Sequence, residues 1–311
     1  MATIYRFQNA RLAGVLLLLC LLSACASTPS LRDTTEQQLP RQSELADVPF
    51  YAQTEYQCGP AALAMVLTHQ GVDTDVETLI PQVFIPGREG SVQPEMLATV
   101  RRHERLALPI RGTFDDLLKH LAAGDPVVVM QNLSLPAFPM WHYAVAIGYN
   151  LDDDSITLRS GEIERHTIAF SRFDATWART DRWGFVVAKP GTLPEGITAH
   201  NALTGISAYE ELHGPKATLS SWQAMVERYP GHALAQFALG NAYYADEQPD
   251  KALSAFQSAT RNDPEMGAAW LNIGLLQLQQ NQPDAARQAL TQAASIEGSW
   301  QARAQELLGQ R

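Results

Sequence analysis

The sequence predicts two folded parts in series: an α+β domain over residues 47–190 and an all-α domain over residues 199–311. In the first part, runs with helical periodicity precede apolar, strand-like runs, which is the order expected for helices packed on an antiparallel sheet. In the second part, apolar and small residues recur every 34 residues, the length of a two-helix repeat. Residues 191–198 are rich in Pro and Gly and are expected to form a linker.

Local signals support each element of the first part. Pro60 is suited to the first turn of a helix that ends near His69. Thr113, with Asp116 three residues later, indicates the start of a helix over 113–123. A third helix is expected over 93–104. Apolar runs predict strands over residues 126–130, 142–149, 155–159, 165–170 and 184–188.

The N-terminus has the features of an export signal. Arg6 and Arg11 precede an apolar run over 12–22 that is too short to span a bilayer. The ending Leu-Ser-Ala-Cys resembles the bacterial lipobox, which implies cleavage before Cys25 and lipid attachment to its sulfur. Ala26, in place of Asp, favours the outer membrane. We therefore expect a signal peptide over 1–24 and a polar tether over 25–46; the alternative is an ordinary signal peptide with an incidental Cys25.

The charge balance excludes one class of partner. Thirty-three acidic residues against 23 basic residues give a net charge of −10, which argues against binding to nucleic acid. The sequence has no glycine-rich phosphate loop, and its other histidines show no metal-ligand spacing. We expect neither a cofactor nor a metal site.

Cys58 is the candidate nucleophile. Of the three cysteines, Cys20 lies in the export signal and Cys25 would carry lipid, so Cys58 is left as a lone thiol. It directly precedes the Pro60 helix, whose positive end is expected to lower the pKa of the thiol. The alternative is that Cys58 is a small buried core residue.

His142 is the candidate proton acceptor, because it begins a predicted strand and a thiol nucleophile needs such a partner. Gln53 lies five residues before Cys58. Its side-chain amide and the backbone N–H of Cys58 could together stabilise an oxyanion. The remaining histidines are expected to have structural or solvent-exposed roles.

Three sequence blocks, 48–53, 57–67 and 142–149, resemble the C39-like peptidase family. The resemblance implies a papain-like fold and cleavage of peptide bonds, usually after Gly-Gly in bacteriocin leader peptides. It also implies an Asp one strand after the His. The residue aligned with that Asp is Ser160, so the expected catalytic set is Cys58, His142, Gln53 and Ser160. The nearest carboxylates, Asp152, Asp153 and Asp154, are expected to form a solvated turn.

The 34-residue period resembles the tetratricopeptide repeat. We expect units over 199–232, 233–266 and 267–300, with a capping helix over 301–311. Gly240 and Gly274 would let the two helices of a unit approach closely. The resemblance implies a concave face that binds a peptide or protein; its predicted residues are Phe237, Asn241, Tyr244, Leu271, Leu275 and Leu278. The alternative is that these residues pack against the first domain.

The leading hypothesis is a membrane-anchored cysteine peptidase in the periplasm that acts on an exported peptide or protein, with the repeats recruiting the substrate or a partner. The same Cys-His pair could serve an amidase, a deamidase or a transpeptidase. The rival hypothesis is a non-catalytic adaptor that holds peptides during secretion or envelope assembly. The missing Asp and the lack of a fused exporter favour that rival.

Overall fold

The structure, a computed structural model, describes residues 29, 31, 33–52, 57–85, 87 and 90–309. The predicted signal peptide, Cys25 and Gln53 lie outside the described residues. Within the described part of the chain, no helix combines the length and apolarity needed to cross a membrane.

The first part contains six α-helices and nine strands among the described residues. The helices are α1 (Asp33–Gln38), α2 (Cys58–His69), α3 (Val76–Val83), α4 (Gln93–Arg102), α5 (Phe114–Ala123) and α6 (Phe170–Trp177). The strands are β1 (Gln42–Glu44), β2 (Phe84–Ile85), β3 (Gly90–Ser91), β4 (Leu106–Pro109), β5 (Val127–Asn132), β6 (Trp141–Asn150), β7 (Ser155–Ser160), β8 (Ile163–Ala169) and β9 (Gly184–Ala188).

Seven of the described strands form one antiparallel sheet. Its order is β4-β9-β5-β6-β7-β8, and β1 pairs with the end of β6 through Gln42 and Asn150. Alternating side chains of the sheet enter two different cores. Tyr143, Val145 and Ile147 face α2, whereas Ala144 and Ala146 lie in a second core with α5 and α6. The predicted α+β fold is confirmed, although α1, α3, α6 and the short strands β1 to β4 were not predicted. Helix α1 and strand β1 lie within the stretch that was expected to be a tether, because β1 pairs with β6.

Helix α2 is the central helix of the first core. Every residue from Gly59 to Leu67 is buried, so the helix has no polar face over this stretch. A helix that is apolar on all sides requires packing on all sides. The sheet covers one side and α3 and α4 cover others. This burial holds Cys58, the first residue of α2, beside the sheet.

The second part is a series of helical hairpins. Its helices are α7 (Ala199–His213), α8 (Leu219–Arg228), α9 (Ala233–Ala245), α10 (Pro249–Asn262), α11 (Gly267–Gln279), α12 (Pro283–Ser295) and α13 (Gln301–Gly309). A Cβ atom on Gly240 would lie 2.5 Å from the Phe256 ring, and one on Gly274 would lie 2.6 Å from Leu290 Cγ. The prediction that both glycines allow close helix approach is confirmed.

The two parts share one hydrophobic core, because α7 and α8 pack directly on the first part. A Cβ atom on Gly205 would lie 2.5 Å from Leu108 Cδ2, so α7 contacts β4 closely. Asn201 Nδ2 donates to Pro109 O at 2.8 Å. Trp222 of α8 is buried in the same core as Leu108. The first predicted repeat unit, which contains α7 and α8, therefore packs against the first domain and shares its hydrophobic core.

Candidate active site

Cys58 is mostly buried at the start of α2. Gly59 lies next to it, and a Cβ atom there would be 2.2 Å from Ser91 Oγ, so only glycine fits between α2 and β3. Within the described chain, Gln57 makes no side-chain bond that caps the helix. Instead, the backbone N–H groups of Cys58 and Gly59, at the start of α2, are directed at the Cys58 sulfur.

The predicted low pKa of the thiol is wrong for this structure. Burial raises the pKa of Cys58 above its ordinary value. Hydrogen bonds from the backbone N–H groups of Tyr143 and Gly59 act in the opposite direction but are outweighed. Desolvation disfavours a thiolate wherever no cation compensates for the lost water. The sulfur is thus a neutral thiol in the resting protein.

His142 and Ser160 lie together. His142 Nε2 is 2.8 Å from Ser160 Oγ, so the aligned hydroxyl contacts the ring as the sequence alignment expects. Val145 pairs with Arg159 across β6 and β7, which puts Ser160 diagonally opposite His142 on the same face of the sheet. Their contact involves Nε2 and fixes the orientation of the ring.

Successive side chains of β6 point to opposite faces of the sheet, so the neighbours His142 and Tyr143 lie on different faces. Tyr143 faces α2, and its N–H donates to the Cys58 sulfur. His142 belongs to the opposite face, with Ser160. Tyr143, whose N–H contacts the thiol, and His142, which contacts Ser160, are therefore adjacent residues at one end of β6.

The imidazole of His142 is uncharged at neutral pH. Burial, and to a lesser degree the nearby His166, lowers the pKa of His142 to about 4. A cationic ring would need a carboxylate to offset its desolvation, and Ser160 supplies only a hydroxyl. Cys58 and His142 are therefore both neutral at rest, whereas the sequence analysis expected a lowered pKa for the thiol.

The nearest sequence-predicted carboxylates lie at the far end of β6, roughly 25 Å along the strand from His142. Asp152 accepts a hydrogen bond from Arg41 Nη2 at 2.6 Å, and Asp153 accepts one from Asn150 at 2.8 Å. Both belong to the turn between β6 and β7. They are therefore surface residues of a turn and do not contact the ring.

Arg159, which the sequence analysis missed, organises the approach to the site. Its side chain is buried and donates to Val48 O at 2.9 Å and to Glu164 O at 2.7 Å. Arg159 thereby ties β7, which carries Ser160, to the segment that leads toward Gln53. A lone arginine between Leu158 and Ser160 in an apolar strand was the available signal.

The described part of the chain contains no cluster of side chains suited to binding a metal ion. No group of three His, Cys, Asp or Glu side chains converges there to hold an ion. The buried His120, which has Asp125 Oδ2 3.3 Å from Nδ1, lies under the linker residue Gly196 and away from Cys58.

The predicted face of the repeats is only partly open. Tyr244, Leu275 and Leu278 are exposed. Phe237 and Leu271 are partly buried in cores within the repeats, so neither the exposed three nor these two pack against the first domain. Asn241 Oδ1 accepts from Asn272 Nδ2 at 3.3 Å, which joins α9 to α11.

Leu234 is exposed one turn before Phe237 and extends this apolar face. The sequence analysis missed it, although its spacing of three residues from Phe237 was a usable signal.

Comparisons with known proteins divide the chain in the same way. Residues 45–184 match the model of the Peptidase_C39 like family, and residues 237–306 match a Tetratricopeptide repeat model. No curated protein matches the chain.

Solved structures resemble each part separately. A C39-like peptidase from Bacillus anthracis has 18% identity and a TM-score of 0.41, covering 48% of this chain and 98% of its own. A double glycine motif protease from an AMS/PCAT transporter, in complex with the leader peptide, has 20% identity and a TM-score of 0.36, with coverages of 47% and 94%. The TPR2B domain of yeast Sti1 has 17% identity and a TM-score of 0.33, with coverages of 35% and 92%.

The matched ranges coincide with the sheet-containing part and with the helical hairpins. Residues 45–184 of this chain are therefore similar to the Peptidase_C39 like family, and residues 237–306 are similar to tetratricopeptide repeats.

Proposed function

We propose that the protein is a cysteine peptidase that hydrolyses peptide bonds of an exported peptide or protein. The observation that carries this proposal is the His142–Ser160 hydrogen bond, formed at the end of β6 where the Tyr143 N–H contacts the Cys58 sulfur. A thiol, an imidazole and a group that orients the imidazole are the parts required for acyl transfer to sulfur.

Because the resting pair is neutral, proton transfer accompanies nucleophilic attack. The Cys58 sulfur bonds to the scissile carbonyl carbon while its proton passes to His142 Nδ1. The imidazolium then gives that proton to the leaving amine as the C–N bond breaks, leaving a thioester on Cys58. Water, deprotonated by His142, attacks the thioester, and the thiol is regenerated. Ser160 Oγ accepts from Nε2–H and holds the required tautomer.

The negative charge that develops on the carbonyl oxygen during attack must also be stabilised by hydrogen-bond donors. The backbone N–H of Cys58, at the start of α2, is the proposed first donor; it would turn from the sulfur to the oxyanion during attack. Gln53 is the proposed second donor, from the segment that follows the contacts of Arg159 with Val48.

We further propose that a lipid on Cys25 anchors the protein to the outer membrane, facing the periplasm. The support is the Leu-Ser-Ala-Cys ending followed by Ala26. Wild-type protein should fractionate with outer membranes and incorporate labelled palmitate, whereas Cys25→Ser should do neither. A wild-type protein recovered in the soluble periplasmic fraction would refute the anchor.

A non-catalytic adaptor is the second candidate. The neutral thiol, the low pKa of His142 and the hydroxyl at the third position all make catalysis weaker than a charged triad would allow. The exposed Tyr244, Leu275 and Leu278 offer a surface for a peptide or protein without any chemistry.

The deciding experiment incubates the full-length protein with peptides from an envelope proteome and identifies new termini by mass spectrometry. The peptidase predicts termini that appear with wild type and with the exposed-residue control His200→Gln, and that vanish with Cys58→Ala. If wild type yields no termini, and Cys58→Ala and wild type retain the same peptides on affinity beads, the adaptor is the correct assignment.

A further inference from the structure

The loop between β5 and β6 is an exposed apolar surface. Five of the eleven large apolar residues that are exposed in the described chain lie in Leu133–Trp141, which comprises this loop and the first residue of β6. We name Leu133–Trp141 the apolar loop. Phe138 is 76% exposed and Leu135 is 64% exposed; the other three exposed residues are Leu133, Met140 and Trp141. Concentrated exposure of this kind is typical of a binding surface.

Polar contacts at its base give the apolar loop a defined shape. Asn132 Oδ1 accepts from the backbone N–H groups of Ser134 and Met140, each at 3.0 Å. Arg179 Nη1 donates to Asn132 O at 3.1 Å and to Ser134 O at 2.6 Å. Leu133 N donates to Met140 O at 2.9 Å across the loop. These hydrogen bonds fix the backbone of the loop without burying its apolar side chains, which remain exposed and can contact a ligand.

The position of the loop indicates what it contacts. Trp141 directly precedes His142, and the N–H of the next residue, Tyr143, contacts the Cys58 sulfur, so the loop adjoins the candidate active site. We propose that the apolar loop binds apolar side chains of the substrate peptide near the scissile bond, chiefly through Leu135 and Phe138. This inference rests on the proposed peptidase function and names its substrate class: peptides with large apolar residues close to the cleavage site.

Two other occupants fit the structure less well. The chain enters the sheet at the opposite end of β6, where Gln42 pairs with Asn150, about 30 Å along the strand from Trp141. The N-terminal segment therefore joins the sheet at the end remote from the loop. A second copy of the chain would need about 800 Å² per partner for a stable interface, more than a nine-residue loop offers.

Binding is measured apart from cleavage. The full chain carrying Cys25→Ser and Cys58→Ala is titrated against two fluorescein-labelled dodecapeptides of the same Gly-Asn-Ser background. One contains a central Leu-Leu-Phe block, and the other contains Ser-Ser-Gln. Fluorescence anisotropy should show at least tenfold tighter binding of the apolar peptide. Leu135→Ser and Phe138→Ser should each weaken that binding about tenfold.

Leu212→Ser on α7 is the matched control, since it removes an apolar side chain that is 53% exposed outside the loop. It should leave binding unchanged, and circular dichroism should show the same thermal midpoint for all variants. Phe138→Leu should restore most of the affinity, because it keeps an apolar side chain.

The proposal is overturned if both peptides bind equally, or if the loop variants bind like the Leu212→Ser control. It is also overturned if the loop instead mediates sedimentation with phosphatidylethanolamine–phosphatidylglycerol vesicles or self-association in the ultracentrifuge. Cleavage is scored separately with the Cys58-containing chain. Loop-dependent peptide binding without cleavage would retain the peptide site and reject the peptidase.

Discussion

The ring nitrogen Nε2 of His142 is 2.8 Å from the hydroxyl oxygen of Ser160, so the group behind the candidate base is neutral. A hydroxyl fixes the orientation and tautomer of an imidazole, but it adds little stability to an imidazolium. Together with burial, this explains why the pKa of His142 is lowered to about 4 and why the resting site has no ion pair.

The first prediction concerns the third catalytic position. His142→Ala should abolish turnover, and Ser160→Ala should reduce it by only about fivefold, since a hydrogen bond between neutral groups contributes about 1 kcal/mol. Ser160→Asp should raise both the turnover and the pKa of His142, because a carboxylate stabilises the imidazolium. Peptide cleavage and ¹⁵N NMR of the imidazole measure the two effects. Loss of activity in Asp152→Ala would assign the third residue elsewhere.

The second prediction concerns the thiol. Burial raises the pKa of Cys58, so the rate of alkylation by iodoacetamide should increase at higher pH than it does for glutathione. The thiol of Ser160→Asp should begin to react at lower pH, because a protonated His142 would favour the thiolate. Mass spectrometry of the labelled Cys58 peptide gives both profiles. A wild-type midpoint below that of glutathione would contradict a neutral resting pair.

The third prediction concerns acid stability. The unfolded chain protonates His142 near pH 6.5, whereas the folded chain does so near 4, so acidification stabilises the unfolded state. This contribution is complete above pH 6.5 and declines as the pH falls toward 4. Between pH 7 and pH 5 it should lower the free energy of unfolding by about 2 kcal/mol.

His142→Gln should lack this pH-dependent loss, while the exposed control His200→Gln should behave like wild type. Urea denaturation at the two pH values measures the difference. An equal loss in wild type and His142→Gln would show that the ring is not protonated selectively on unfolding.

The fourth prediction concerns the joint between the two parts. Gly205→Ala should lower the free energy of unfolding by about 1–3 kcal/mol, because the new Cβ would lie 2.5 Å from Leu108 Cδ2 and 2.9 Å from Ala107 O. Gly309→Ala is the control, since no atom lies within 4 Å of its Cβ position. Differential scanning calorimetry should show one transition that shifts for Gly205→Ala alone. Two independent transitions would contradict a shared core.

Several features of the fold and site follow from local sequence. The helix-then-strand order, the capping residue Thr113 and the 34-residue spacing of Gly240 and Gly274 depend on neighbours within one or two helical turns or within one repeat. The position of Cys58 at a helix start is of the same kind. Such signals are readable because backbone propensity and side-chain periodicity act over short stretches of chain.

Other features required the folded chain. The pKa of Cys58 depends on how much water the sheet, α3 and α4 remove from the thiol, and burial there outweighs the helix dipole that the sequence suggested. The contact of His142 with Ser160 depends on the register of β6 and β7, which is shifted by an irregularity between Ala146 and Gly148. The exposure of Phe138 and the burial of Trp222 likewise depend on which distant elements pack nearby. The sequence by itself determined which residues could perform the chemistry, and the tertiary structure decided their protonation and their partners, because desolvation and cross-strand contacts arise between segments far apart in the chain.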